Sequence, residues 1–168
     1  MTNMGDNHIP QAPAFLTADA QQAVWFLGAL VRVRAGGSAT GGSLAILEHH
    51  GERGYNSPLH RHDADEETFL VLEGELRVEV GDEVRTAGAG AVAFLPRQLP
   101  HAFVVTSPQA RFLTLHAPAG FERFTLEAGT PAVSTDVPPL AELPPDPAAL
   151  ASMARSYGIE ILGPPLLP

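Results

Sequence analysis

The sequence contains no cysteine. Neither a disulfide framework nor a thiolate metal site is open to it, so any strong metal ligand must be an imidazole or a carboxylate. Basic residues are also scarce: ten Lys and Arg against nineteen Asp and Glu leave a formal net charge of -9. That balance offers no cationic footprint for a phosphate backbone or an anionic membrane surface, and neither nucleic acid nor membrane is expected as a partner. Long apolar runs are missing too. The most apolar stretch, residues 23–31, is too short to span a bilayer and runs into Arg32 and Arg34. The opening MTNMGDNHIPQAPAF lacks the basic region and apolar run of a secretory signal, so a cytoplasmic location is the expectation.

Glycine and proline are plentiful, with sixteen of each in 168 residues, and they fall mostly between apolar runs. This is the punctuation of short strands joined by tight turns, in a chain long enough for one well-buried core. Alternating segments at 24–26, 29–34, 43–50, 67–72, 75–80, 83–86, 91–95, 101–105, 111–116 and 121–127 read as strands, about ten in all, with a short extended piece at 58–62. Glu73-Gly74 and Gly81-Asp82 read as hairpin turns, and AGGSATGG at 35–42 as a flexible turn without phosphate-loop context. The pattern predicts an all-β antiparallel sandwich or barrel over 18–129, preceded by a polar arm at 1–17. Residues 130–168 form a Pro-rich linker and then a helix, with Asp146 as N-cap, Pro147 in the first turn, and Gly158 at its end. Leu150, Met153, Ala154 and Tyr157 recur at helical spacing, so the helix must pack on the barrel or on a partner chain. Trp25 and Phe26 read as core or subunit interface, and a homodimer built through them or through the C-terminal segment is expected.

The residues with chemistry gather in the stretch GYNSPLHRHDADEETFLVLEG, which begins at Gly54. His60 and His62 are two apart, so on a strand their imidazoles share a face and can reach one ion. A carboxylate follows at Glu66 or Glu67, and His101 arrives from a second segment after an apolar strand and a Pro turn. Such a nitrogen and oxygen set suits a divalent first-row metal. Parity favours Glu67, which shares a face with Phe69 and Val71, whereas Glu66 shares one with Thr68 and Leu70. Asp63 and Asp65 read as solvated turn residues. His49 and His50 are neighbours that must face opposite ways, and both are set outside the metal shell; His116 is divided between strand surface and pocket rim. Phe69, Phe94 and Phe103 flank the ligand strands as barrel core or pocket wall.

Gly54, His60, His62, Glu67 and Gly74 stand at the spacings of the first cupin motif, and Gly90, Pro96 and His101 at those of the second. The chain thus resembles the cupin superfamily. Gln98 replaces the second motif's inner Gly and Val105 its Asn, and neither change removes a ligand. With VWFLGALVRVRA, LPHAFVV, PAGFERF and YGIEILGPP, the chain is further similar to small one-cupin bacterial proteins grouped with quercetin dioxygenases. The resemblance implies a cupin-type double-stranded β-helix, or jelly roll, with a C-terminal helix. It also implies one divalent ion (Fe, Ni, Mn, Co, Cu or Zn) on His60, His62, Glu67 and His101. The expected reaction is dioxygen-dependent cleavage of a flavonol-type aromatic, with Glu67 as base and Phe69, Phe94 and Phe103 as pocket walls. The alternatives are a cupin isomerase, cyclase or decarboxylase, or a binding module without catalysis.

Overall fold

The computed structural model describes residues 12–138 and 146–168. Most of the expected arm and part of the expected linker lie outside the described residues. The chain runs β1 (Ala23–Phe26), β2 (Ala29–Ala35), α1 (Gly37–Thr40), β3 (Ala45–Glu52), β4 (Pro58–His62), β5 (Glu66–Glu73), β6 (Glu75–Val80) and β7 (Glu83–Gly88). It continues through β8 (Val92–Leu95), β9 (His101–Val105), β10 (Gln109–Ala117), α2 (Phe121–Ala128), β11 (Thr130–Pro131), α3 (Pro147–Ser156) and β12 (Ile159–Pro165).

Two antiparallel sheets make the expected jelly-roll barrel. One has the order β11-β1-β2-β3-β10-β5-β8 and the other β12-β4-β9-β6-β7. Alternation along the strands decides what lies between them: on β5, Glu67, Phe69 and Val71 are buried while Glu66, Thr68 and Leu70 are only partly covered. The core is aromatic at its centre, where Phe103 and Phe112 meet edge to face with ring centroids 5.2 Å apart and Phe69 packs 5.4 Å from Phe103.

Several elements depart from the sequence reading. Gly74 does not make a hairpin, because β5 and β6 belong to different sheets. It is a corner with φ of 79°, and a Cβ there would collide with the Gln109 carbonyl. The turn at Gly81-Asp82 does join paired strands, with Val80 opposite Glu83. Residues 121–128 are helical rather than extended. Phe121, Phe124 and Thr125 share the inward face at a spacing of three and four, and Glu122 ties the helix start by accepting from Gly120 N at 2.7 Å and Gly37 N at 2.9 Å. The glycine-rich turn contains one short helix, Gly37–Thr40.

The C-terminal helix begins as expected, with the Asp146 side chain accepting from Ala148 N at 3.1 Å. It folds back on its own barrel, and β12 then pairs with β4, placing Ile159 opposite His62 and Ile161 opposite His60. The segments expected at a subunit interface are therefore used within the chain. Phe26 is buried against Phe124 at 5.6 Å, and Trp25 donates its indole N–H to the Asp136 carbonyl at 3.0 Å.

Candidate metal centre

Strand pairing delivers the four candidate ligands. His60 and His62 point inward from β4, and His101, first residue of β9, lies directly opposite His60. Glu67 comes from β5 in the facing sheet, so a carboxylate from one wall meets three imidazoles from the other. All four are buried, and their ligand atoms lie within 4.8 Å of one another. The Glu67 Oε2 atom is 3.0 Å from His101 Nε2 and 3.5 Å from His62 Nε2.

Backbone and side-chain partners fix which nitrogen of each ring is free. His60 Nδ1 donates to the Pro58 carbonyl at 2.8 Å, and His101 Nδ1 to the Leu99 carbonyl at 2.9 Å. His62 Nδ1 donates to Asp65, 3.0–3.1 Å from its two carboxylate oxygens. In its neutral form each ring therefore turns an Nε2 lone pair toward Glu67. Among the described residues His62 Nε2 has no hydrogen-bond partner at all. Acceptors facing a buried carboxylate repel one another unless a cation lies between them. A proton could relieve one such contact. A single metal ion relieves all of them at once, and the donor set, three nitrogens and one oxygen, is of the kind first-row divalent ions accept.

Electrostatics agree with that fit. Burial, reinforced by the neighbouring His101 and His62, pushes the His60 pKa down to about 3, so its ring is a neutral donor atom at neutral pH. Burial opposes the charged form of Glu67, but the imidazoles of His116, His101 and His62 outweigh it and hold the carboxyl well below its usual range. For His62, burial disfavours the charged ring, yet the Asp65 hydrogen bond and the charges of Glu67 and Asp65 raise its pKa.

Two residues that sequence reasoning missed complete the surround. Asp65 is not a solvated turn residue; its carboxylate bridges His62 Nδ1 and His116 Nδ1, the latter at 2.9 Å. His116 is fully buried, and its Nε2 lies 3.6 Å from Glu67 Oε1. The signal was present in β10, where Phe112, Thr114 and His116 alternate on one face. Metal-bound histidines are commonly held by such partners on their far nitrogen. His49 and His50 stay outside the ligand group, as expected, His49 buried and His50 at the surface-facing side of β3.

The cluster opens on an apolar cavity walled by Phe26, Phe103, Phe121 and Phe124, with Leu150 and Ala154 from α3 and Ile159 and Ile161 from β12. Of the expected wall residues only Phe103 lines it. Phe69 is buried in the core behind Phe103, and Phe94 is 57% exposed because it shares the outer face of β8 with Val92. Gln98, in the motif's glycine position, has φ of 64° and donates its backbone N–H to the His62 carbonyl at 2.7 Å. The turn leading to His101 is thereby tied to the strand of the other two imidazoles. Val105, in the position of the motif's Asn, is fully buried in the core.

Residues 48–116 match the family described as Cupin domain, and the barrel has the cupin-type fold. Among individual proteins, the chain is 28% identical over 109 residues to quercetin 2,3-dioxygenase of Bacillus subtilis (strain 168), covering 65% of this chain and 32% of that protein. The alignment thus spans about a third of that relative's length. Solved structures of similar fold include KdgF from Halomonas sp., with TM-score 0.57 and 20% identity over 66% of this chain and 99% of that one. An RmlC-like cupin from Shewanella frigidimarina has TM-score 0.58 and 18% identity over 67% and 97% of the two chains. Oxalate decarboxylase from Bacillus subtilis has TM-score 0.54 and 19% identity over 65% and 31%. At these identities the structural likeness establishes the fold. No helix among the described residues is long and apolar enough to cross a membrane.

Proposed function

We propose that this chain is a metal-dependent cupin oxygenase that uses dioxygen to cleave a hydroxylated aromatic of the flavonol type. The observation that carries the reading is the continuity of the buried His60, His62, Glu67 and His101 group with a cavity walled by four phenylalanine rings. Aromatic walls bind a flat apolar body and exclude water, while the polar end orients one oxygen of it. The resemblance to quercetin 2,3-dioxygenase supplies the substrate class.

His60, His62 and His101 would hold the ion through Nε2, with Glu67 as fourth ligand. A bound divalent ion supplies Lewis acidity, lowering the pKa of a coordinated hydroxyl and bringing dioxygen chemistry to the substrate. In this reading Glu67 also takes the proton of that hydroxyl. His116 is hydrogen-bonded to Asp65, with its Nε2 3.6 Å from Glu67 Oε1. Phe103, Phe121 and Phe124 orient the aromatic body, and the C-terminal residues Leu150, Ala154 and Ile161 keep water out.

The test is metal analysis of protein purified without added metal, followed by oxygen uptake with quercetin and related flavonols. Bound metal with uptake that is lost in Glu67→Ala supports the reading. Metal with substrate turnover in the absence of oxygen moves the chain to the isomerase, cyclase or decarboxylase class. Ligand binding that survives Glu67→Ala without any turnover marks a binding module.

A further inference from the structure

A chain of buried hydrogen bonds runs from the metal-facing groups to the far side of the cavity, and the ligand set does not require it. Asp65 accepts from His116 Nδ1 at 2.9 Å; His116 Nε2 lies 3.3 Å from Thr114 Oγ1; Thr114 Oγ1 lies 3.0 Å from His49 Nε2; and His49 Nδ1 lies 2.9 Å from the Tyr55 hydroxyl. His49, Tyr55, Thr114 and His116 are all buried, and His49 and Tyr55 both line the cavity. His49 also stacks on Phe112, with rings 4.8 Å apart and an interplanar angle of 4°, so its ring cannot turn to choose other partners.

Donor counting gives the chain a direction. A carboxylate only accepts, so His116 Nδ1 carries a proton, and in the neutral form of the ring Nε2 is an acceptor. Thr114 then donates to His116 and must accept from His49 Nε2–H. His49 is left with a lone pair on Nδ1, which accepts the Tyr55 O–H. The Tyr55 proton is thus committed to His49, and the phenol oxygen keeps its remaining lone pair for the cavity. Burial, reinforced by the charge of Glu67, pushes the Tyr55 pKa up, so the phenol keeps that proton.

From this geometry we infer that Tyr55 Oη is a substrate-recognition site that accepts a hydrogen bond from a second hydroxyl of the bound aromatic, with His49 as its positioning residue. The inference rests on the flavonol-type reading of the same cavity and narrows it. A substrate with only the metal-directed hydroxyl leaves the phenol oxygen unpaired in an apolar wall, and a site with an unpaired buried polar group discriminates against that ligand. The substrate class becomes a polyhydroxylated aromatic, with one oxygen at the metal end and a donor hydroxyl at the Tyr55 end.

The test is anaerobic titration calorimetry on the full chain, loaded with zinc and dialysed free of excess ion. The probes are quercetin, which carries further ring hydroxyls, flavonol, the parent compound that lacks them, and quercetin methylated at those ring hydroxyls. Wild type is expected to bind quercetin about five- to tenfold more tightly than either of the others, the value of one net buried hydrogen bond. Tyr55→Phe should abolish that preference, raising the affinity for flavonol and lowering that for quercetin. His49→Phe, which keeps the stacking on Phe112, frees the Tyr55 proton and should turn the preference toward the methylated probe, an effect that a purely structural role would not produce. Equal wild-type affinity for quercetin and flavonol, or a preference that survives Tyr55→Phe, overturns the inference and leaves the flavonol reading standing. Failure of every probe to bind wild type removes the flavonol reading, and the inference with it.

Discussion

Glu67 and His116 face each other in register on β5 and β10, so the carboxylate of the candidate metal group has a fourth imidazole behind it, 3.6 Å from Oε1. The same His116 is bound to Asp65, which also holds His62. The ligand group is therefore braced by a pair that makes no ligand contact of its own. Replacing Asp65 by Ala should weaken metal binding by about 10–100-fold, through loss of orientation at His62 and His116. Competition with a chromophoric chelator measures this, and unchanged affinity would remove Asp65 from any supporting role.

Metal addition should stabilise the fold. At a free ion concentration about a hundredfold above Kd the gain is about 2.7 kcal/mol. Thermal melts with and without the ion should therefore differ in wild type and coincide in His60→Ala/His62→Ala. A double variant that still gains stability from the ion would place the binding site elsewhere.

Acid should destabilise the metal-free protein. Burial holds His49 and His60 at about 3, against an ordinary value of 6.5. Above that ordinary value both rings are neutral in either state and the contribution is complete. As pH falls from about 6.5 toward about 3 the unfolded chain takes up protons the native state refuses, so stability is lost across that window. Asp65 and Glu67, both lowered, lose their contribution as pH falls below the ordinary carboxylate range. His62, which is raised, acts with the opposite sign, contributing below 6.5 and losing that contribution as pH rises through its folded value. The melting temperature of metal-free protein should fall between about pH 7 and about pH 4; a level or rising profile contradicts the assigned burial of His49 and His60.

Gln98 holds a left-handed backbone that L side chains adopt at a cost of roughly 1–2 kcal/mol, part of which glycine's unfolded-state entropy offsets. Gln98→Gly should thus raise stability by about 0.5–1 kcal/mol, visible as a small increase in Tm. Lowered stability would mean that the Gln98 side chain contributes more than its backbone conformation costs.

Phe121 and Phe94 separate cavity wall from surface. Phe121 stacks on His116 with ring centroids 4.2 Å apart, whereas Phe94 is exposed. Phe121→Ala should weaken binding of an aromatic ligand and destabilise the fold by about 3–5 kcal/mol, while Phe94→Ala should change stability by no more than about 0.5 kcal/mol. Chemical denaturation and ligand titration of the two variants would show the contrast, and equal effects would contradict the cavity boundary described above.

How much of this was legible in the sequence depends on how local the information is. The two-residue spacing of His60 and His62 and the parity of Glu67 with Phe69 are properties of single strands, and both hold in the structure. Parity also identifies the inward face of β10, yet which strand lies beside β5 is a matter of topology, so the meeting of His116 with Glu67 could not be read from either segment alone. Phe94 departs from the expected pocket wall for a related reason: β8 is four residues long, and its inward face belongs to Ala93 and Leu95. Residues 121–127 misled because aromatic residues are common in strands, while the three-and-four spacing of Phe121, Phe124 and Thr125 carried the helix. Gly74 reads as a hairpin in the sequence because a turn residue between two apolar runs looks the same whether the runs pair or part.

The pairing of β12 with β4 also bears on how the protein is made. Translation runs from the N-terminus, so His60 and His62 leave the ribosome well before Ile159 and Ile161, which hydrogen-bond the strand that carries them. Until those later residues emerge, β4 has only its single ladder contact to β9, at His101. The four candidate ligands have all been made by residue 101, but one edge of the strand that carries two of them stays unpaired until synthesis has passed residue 165.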